Sequence, residues 1–146
     1  MKNILWYQDP ENLSKDVISF NREIITPPSD PKYREKYDEL YNIANKAQGN
    51  KNIYKFSDGY FIKGHFNEKD NIGRNISFMF YSNTVNKQEC ANRLMEEAAV
   101  NNKTCSESLL NDILNFNERK NSLNTKIVIG VAIVVIFLLI VFLITK

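Results

Sequence analysis

Short apolar segments in the first part of the chain are patterned as β-strands. Residues 4–7 form an apolar run that Asp9 and Pro10 close, which predicts a first strand. The apolar positions of 17–25 fit both a strand and one face of a helix. We favour a single strand there, because the Thr-Pro-Pro sequence at 26–28 follows it and proline stops a helix.

The next segment has the signals of an amphipathic helix. Asp30 suits the cap position, Pro31 suits the first helical position and Gly49 suits the exit. Tyr33 and Tyr37 fall on one face of this helix, with charged residues around the rest. We interpret the tyrosines as packing against a sheet, and a tyrosine-rich partner surface is the alternative.

A hairpin and a further strand are predicted in the middle of the chain. Apolar runs at 53–56 and 60–66 flank Asp58 and Gly59, and Asp-Gly between such runs indicates a hairpin turn. A polar loop at 67–71 follows. Residues 76–81 then carry large apolar groups on both faces, which is typical of a central strand.

Two more helices are predicted before the carboxyl-terminal segment. Asn86 and Glu89 have the spacing of a capping box, and Thr104 and Glu107 repeat it. The order of elements is strands, a helix, three strands and then helices. This order predicts an α+β fold, with a small, largely antiparallel sheet and its helices on one face.

The carboxyl-terminal segment 127–144 has eighteen residues with no charge and no strongly polar group. A helix of that length spans roughly 27 Å, close to the ~30 Å hydrocarbon layer of a bilayer. Lys126 precedes the segment, Ile127 and Ile144 bound it, and Gly130 is a small gap among bulky residues. We therefore predict a transmembrane helix. A buried core helix is the alternative, but it would show a polar face.

This segment divides the chain into three parts. They are a domain at 1–120, a short juxtamembrane linker at 121–126 and the transmembrane helix at 127–144. Basic residues 119, 120 and 126 lie before the helix and only Lys146 follows it, so the positive-inside rule predicts a cytoplasmic domain. The expected location is the inner membrane, with the lipid bilayer as a partner. The amino terminus shows no apolar export signal.

Composition and charge argue against several functions. The net charge is +2 and acids are interspersed with bases, so we expect no nucleic-acid partner. Cys90 and Cys105 lack metal-ligand spacing, and we interpret them as small, reduced, partly buried residues. No metal and no cofactor are expected. Twenty asparagines, with many lysines and isoleucines, indicate an AT-rich genome.

Catalytic chemistry has few candidates in this sequence. His65 is the only histidine, and no nucleophile or metal motif accompanies it. The adjacent acids Glu96 and Glu97 point to different sides of a helix, and we expect both at the solvated surface. We predict that the chain is not an enzyme. The alternative is a membrane-bound enzyme that uses His65, and it has less support than the binding functions described below.

A cluster of cations around the polar loop is the candidate ligand site. A glycine loop with cations can present backbone amides and positive charge to a phosphate or carboxylate. An ordinary solvated loop is the alternative reading. The predicted ligand-binding residues are Lys63, His65, Lys69, Gly73 and Arg74.

The architecture, size and AT-rich composition resemble those of small single-pass membrane effectors of bacterial anti-phage defence. This resemblance implies that the cytoplasmic domain binds a partner or a small anionic ligand. It also implies self-association, with transmembrane helices that cluster and perturb the membrane. The alternative is a passive tether or adaptor that localises a protein partner at the bilayer.

Overall fold

The computed structural model describes residues 1–25, 29–47, 49–117 and 138–144. The chain divides into two compact units, Met1–Phe116 and Asn117–Lys146. The first unit is an α+β domain built on a six-stranded antiparallel sheet, which confirms the predicted fold class at this level.

Every neighbouring pair of strands in the sheet is antiparallel, and the spatial order is β3-β2-β1-β6-β5-β4. The two longest strands, β5 and β6, pair in the interior of the sheet, as the apolar pattern of β6 predicts. The strands are β1 (Asn3–Gln8), β2 (Asp16–Phe20), β3 (Glu23–Ile25), β4 (Ile53–Lys55), β5 (Tyr60–Lys69) and β6 (Asn75–Ser82).

The prediction of one strand over 17–25 is wrong, because a tight turn divides this segment into β2 and β3. Phe20 pairs with Glu23, which leaves a two-residue loop. Both loop residues have positive φ, 48° at Asn21 and 70° at Arg22. Such a loop matches the twist of a hairpin, and asparagine tolerates the left-handed conformation better than most residues.

Side-chain caps begin all three helices of the domain. The Asp30 carboxylate accepts a hydrogen bond of 2.9 Å from the Lys32 amide, as predicted, and the Asn86 side chain accepts one of 2.9 Å from the Glu89 amide. The third helix begins later than predicted. The helices are α1 (Pro31–Lys46), α2 (Lys87–Val100) and α3 (Glu107–Leu114).

Ser106, and not Thr104, caps the third helix. The Ser106 hydroxyl accepts a hydrogen bond of 3.2 Å from the Leu109 amide. Thr104 instead pairs with β5, because its amide and its hydroxyl both donate to the Glu68 carboxylate, at 2.8 and 2.7 Å. The segment before α3 is thereby fixed to the sheet.

The helices lie on both faces of the sheet, so the prediction that they share one face is wrong. Side chains alternate between faces along a strand. Leu5 of β1 packs in a core cluster with residues of α2 and α3, such as Leu94 and Ile113. Its neighbour Ile4 packs in a second cluster with Leu40 of α1. The domain therefore has three layers.

The tyrosines of α1 mostly serve helix-to-sheet packing, as predicted. Tyr33 and Tyr37 are partly buried against the second core cluster, and their rings stack with centroids 5.8 Å apart. Tyr41 continues the stack at 6.1 Å but leaves 52% of its surface exposed. This last ring is the most exposed of the three.

The two ends of the sheet differ in what they carry. At the near end, β1 and β5 begin and β6 finishes, so that Ser82 pairs with both Asn3 and Tyr60. At the far end, β5 finishes and β6 begins, where Lys69 pairs with Asn75. Ten residues of β5 separate the two ends by roughly 30 Å.

The chain leaves the domain at the near end. Helix α3 crosses the sheet over Gly64, where a Cβ atom would lie 3.1 Å from both Leu109 Cδ2 and Phe78 Cζ. After the helix, the Phe116 ring packs edge to face on Tyr60, with ring centroids 6.1 Å apart. The last residues of the domain are therefore held at the first residue of β5.

The predicted transmembrane segment lies mostly outside the described residues, as do the predicted membrane residues Lys126, Ile127 and Gly130. Its described part, 138–144, is helical. All seven of these residues are large and apolar, and all are exposed, from 41% at Val141 to 77% at Ile144. Among the described residues, no helix is long and apolar enough to cross a membrane.

Candidate functional site

The structure does not gather the five predicted ligand-binding residues into one site. Lys63 and His65 lie within β5, whereas Lys69 ends that strand and Gly73 and Arg74 belong to the following turn. Six residues of strand place Lys63 roughly 20 Å from Lys69. A single phosphate or carboxylate cannot contact both. The last three of these residues are neighbours at the far end, apart from Lys63 and His65.

The far-end turn already holds an internal carboxylate. Asp70 accepts hydrogen bonds from the amides of Ile72 and Arg74, at 3.0 and 2.8 Å, and from Arg74 Nε at 2.8 Å. Burial of the Asp70 carboxyl raises its pKa, but the donors of Arg74 and Ile72 outweigh burial and lower it. The donors expected to bind an external anion thus serve Asp70. The Asp-x-x-x-Arg spacing is the sequence signal that could have indicated this arrangement.

A cleft at the near end brings together more polar groups than the predicted loop does. It has a volume of about 260 Å³ and lies between the carboxyl-terminal half of α1 and the ends of β1, β4 and β6. A cavity with a few convergent polar groups is where small ligands usually bind. Its lining residues are Lys2, Glu39, Asn42, Ile43, Lys46, Phe56, Asp58 and Tyr81.

On the Asp58 side of this cleft, the backbone of the Asp58-Gly59 turn lies close to the backbone at the end of β6. The turn is closed by a hydrogen bond of 2.8 Å from the Phe56 amide to the Gly59 carbonyl. A Cβ atom at Gly59 would clash with the Ser82 carbonyl oxygen and would lie 3.0 Å from Asn83 Cα. Glycine is therefore required where the turn meets the end of β6. This contact fixes Asp58 beside Tyr81.

The Lys2 side of the cleft is fixed by backbone and side-chain contacts. The Lys2 amide donates to Asn83 Oδ1 at 3.0 Å, and the Asn83 amide donates to the Lys2 carbonyl at 3.1 Å. The Lys2 ammonium forms an ion pair with Glu39. Burial and the nearby Lys36 lower the pKa of Lys2, while Asp58 opposes this change.

Tyr81 is a protonated hydrogen-bond donor in the cleft. Burial raises the pKa of Tyr81 to about 12, and the charge of Asp58 and the hydrogen bond to its carboxylate add to this effect. The phenol therefore does not act as a base near neutral pH. The cleft offers two ammonium groups, two carboxylates and one amide, which suit a small ligand that carries both signs of charge.

A second groove, of about 310 Å³, lies at the far end. Apolar side chains of Val17, Ile24 and Val100 contribute to its lining, and Ile24 is 48% exposed. The Tyr7 hydroxyl donates to Asn101 Oδ1 at 3.1 Å along its floor. Burial and Asp9 raise the pKa of Tyr7 to about 12. This groove is more open and less charged than the near-end cleft.

One carboxylate that we expected at the surface is buried. Glu97 is 1% exposed, and its carboxylate accepts hydrogen bonds from the Ser19 hydroxyl and, at 2.7 Å, from the Arg22 amide. These bonds hold the β2–β3 hairpin against α2. Burial raises the pKa of Glu97 more than these donors lower it. The prediction of a solvated Glu97 is wrong; its neighbour Glu96 does lie at the surface and pairs with Arg22.

The cysteines and the histidine do not form a reactive set. Cys90 is buried and Cys105 partly buried, and both are free thiols. Burial raises the pKa of each thiol to about 12. His65 lies exposed opposite Ser77. Across the described ranges, no group of three or more histidine, cysteine or acidic side chains could hold a metal ion.

Comparison with known proteins identifies no relative of this chain. No family model, no curated protein and no solved structure matches the chain.

Proposed function

We propose that this chain is a single-pass membrane protein in which 127–144 holds a non-catalytic binding domain at the cytoplasmic face of the inner membrane. The observation that carries this proposal is the helical stretch 138–144, whose seven large apolar side chains are all exposed. Soluble proteins rarely expose contiguous apolar surface of this kind. It is the last part of an eighteen-residue segment without charge. A bilayer is the environment that such a segment fits.

The domain offers surfaces for binding and little for catalysis. Its near-end cleft carries opposite charges that can recognise a small ligand, and its far-end groove carries exposed apolar side chains that can contact a partner protein. The two phenols of these sites, Tyr7 and Tyr81, are hydrogen-bonded to Asn101 and Asp58. We therefore assign the domain a recognition role.

Protease accessibility in spheroplasts tests the anchor and the orientation together. The full chain would carry an amino-terminal epitope tag, and protease would be added before or after lysis. We expect the tagged domain to pellet with membranes and to be digested only after lysis. Digestion in intact spheroplasts would overturn the orientation, and recovery of the domain in the soluble fraction would overturn the anchor.

We propose further that binding to the domain drives clustering of the transmembrane helices, which perturbs the membrane as in small effectors of anti-phage defence. The supporting observation is the fixed exit of the chain, where Phe116 packs on Tyr60 and only ten residues separate it from Ile127. A change in the domain can reach the bilayer through so short a connection. Membrane potential in cells that express the full chain tests this step.

A passive tether is the competing function, and exchange of the anchor separates the two. In one variant, 127–144 is replaced by an unrelated transmembrane helix of equal length. An effector loses depolarisation in this variant although the domain remains at the membrane. A tether keeps its partner and its function in the same variant, and it never depolarises the cell.

A further inference from the structure

A short connection joins the near end of the domain to the proposed anchor. Phe116 is held against Tyr60 at that end, and ten residues, 117–126, connect it to Ile127. A fully extended chain spans at most about 3.6 Å per residue, so the eleven residue steps from Phe116 to Ile127 span at most roughly 40 Å. The near-end cleft lies at the same end of the sheet, because its residues Lys2 and Asp58 adjoin the paired residues Asn3, Tyr60 and Ser82. It is on the face that α1 covers, and Phe116 is on the other face.

The charges of this cleft discriminate against a simple anion. Lys2 and Lys46 supply two ammonium groups, and Glu39 and Asp58 supply two carboxylates in the same lining. A phosphate placed beside the lysines would also meet both carboxylates, which repel it. A ligand that carries a phosphate at one end and an ammonium at the other satisfies both sets.

The hydrogen-bonding groups favour a primary ammonium over a quaternary one. A primary ammonium donates three hydrogen bonds, and the carboxylates of Glu39 and Asp58 are acceptors only. Asp58 accepts one bond from Tyr81 and retains further acceptor positions. A trimethylammonium group donates none and is bound by aromatic cages instead.

The geometry points to a site for the phosphoethanolamine headgroup of a membrane lipid in the near-end cleft. Lys46 pairs with the phosphate and Asp58 accepts hydrogen bonds from the ammonium, while Lys2 and Glu39, which form an ion pair with each other, line the cleft beside them. A cleft of about 260 Å³ has room for a headgroup of eight heavy atoms. This site rests on the proposed function, because only an anchored domain meets a headgroup in this way.

Titration of the full chain in maltoside micelles with O-phosphoethanolamine tests the chemistry of the site. The Gly59 amide resonance reports binding, because Gly59 adjoins Asp58. We expect saturable shifts, with the dissociation constant raised about fivefold or more in Lys46→Gln and in Asp58→Asn, since each removes one charged hydrogen-bonding group. The control Lys15→Gln, an exposed lysine outside the cleft, leaves the constant unchanged.

Three results in micelles would overturn the inference. The first is no response to O-phosphoethanolamine, and the second is an unchanged dissociation constant in Lys46→Gln. The third is equal affinity for inorganic phosphate or phosphocholine. This result would show that the cleft does not require both a phosphate and a primary ammonium in its ligand. Lys46→Gln keeps the test decisive if Asp58→Asn disturbs the turn, because Lys46 lies in the last turn of α1 and outside that contact.

Nanodiscs identify the source of the headgroup and separate this inference from the anchor. Discs that contain phosphatidylethanolamine should shift the Gly59 resonance as the free compound does, and discs of phosphatidylcholine alone should not. A response to the free compound without a response to either disc overturns the lipid source. Loss of the chain from both discs contradicts the anchor instead, whereas stable insertion without a Gly59 shift contradicts only the headgroup site.

Discussion

The rings of Tyr60 and Phe116 meet edge to face, with interplanar angle 88° and centroids 6.1 Å apart. This contact ties the last residues of the domain to the first residue of a central strand. Aromatic pairs of this geometry contribute about 0.5–1.5 kcal/mol beyond burial. Together with the crossing of α3 over Gly64, it gives the chain a fixed exit at the near end of the sheet.

Gly64→Val should destabilise the domain by displacing α3. Its side chain would enter space occupied by Leu109 and Phe78, where even a Cβ atom is 3.1 Å from each. We expect a loss of about 1–3 kcal/mol in the free energy of unfolding, typical of overpacked cores. Urea unfolding of the full chain in micelles measures it. His65→Val, at the exposed neighbouring position, should change stability by less than about 0.5 kcal/mol.

Glu97 should make the domain less stable as the pH rises above the usual carboxyl pKa. Burial raises the pKa of Glu97 in the folded state, so the folded state retains a proton that the unfolded state has lost. Stability then falls from about pH 4.5 upward until the folded pKa is passed. Glu97→Gln removes this titration. Thermal unfolding between pH 4.5 and 7 should show Glu97→Gln gaining stability relative to wild type, and a constant difference would contradict this assignment.

Asp70 should control the order of the far-end turn. Its carboxylate accepts hydrogen bonds from the Ile72 and Arg74 amides. In Asp70→Ala, both amides lose this acceptor, and hydrogen exchange at both should accelerate markedly. Asn71→Ala changes the neighbouring exposed residue and should leave both amides protected. Equal exchange rates in the two variants would show that the carboxylate does not order the turn.

Both cysteines should resist thiol reagents in the folded protein. Burial raises the pKa of Cys90 and of Cys105 to about 12, so little thiolate is present at pH 8. Colorimetric thiol titration of the native full chain should therefore be slow, and should become fast in urea. An added thiol in Asn50→Cys, at an exposed position, should react at once and report that the reagent is active.

Local signals in the sequence predicted much of the fold. The Asp30 cap, the Asp58-Gly59 turn and the apolar pattern of β6 each correspond to an observed element. The β2–β3 turn was missed because Asn21-Arg22 lacks the glycine that marks most such hairpins. The division of helices between faces was missed because face assignment depends on the packing of distant elements, which periodicity along one strand does not fix.

The binding surfaces were harder to predict than the fold. The near-end cleft joins Lys2, Asp58 and Tyr81, which are far apart in sequence and meet only through the pairing of β1, β5 and β6. No local motif marks such a set. The burial of Glu97 likewise depends on the β2–β3 hairpin that it binds. The predicted loop residues were adjacent in sequence, which made them visible, but Asp70 occupies most of their donors.

Alkaline carbonate extraction of membranes tests the proposed anchor most directly. Cells would express either the full chain or a chain that ends at Asn124, and the membranes would be washed at high pH to remove peripheral proteins. We expect the full chain to remain in the membrane pellet and the shortened chain to be recovered in the soluble fraction. Release of the full chain by carbonate, to the same extent as the shortened chain, would contradict the membrane-spanning role of 127–144.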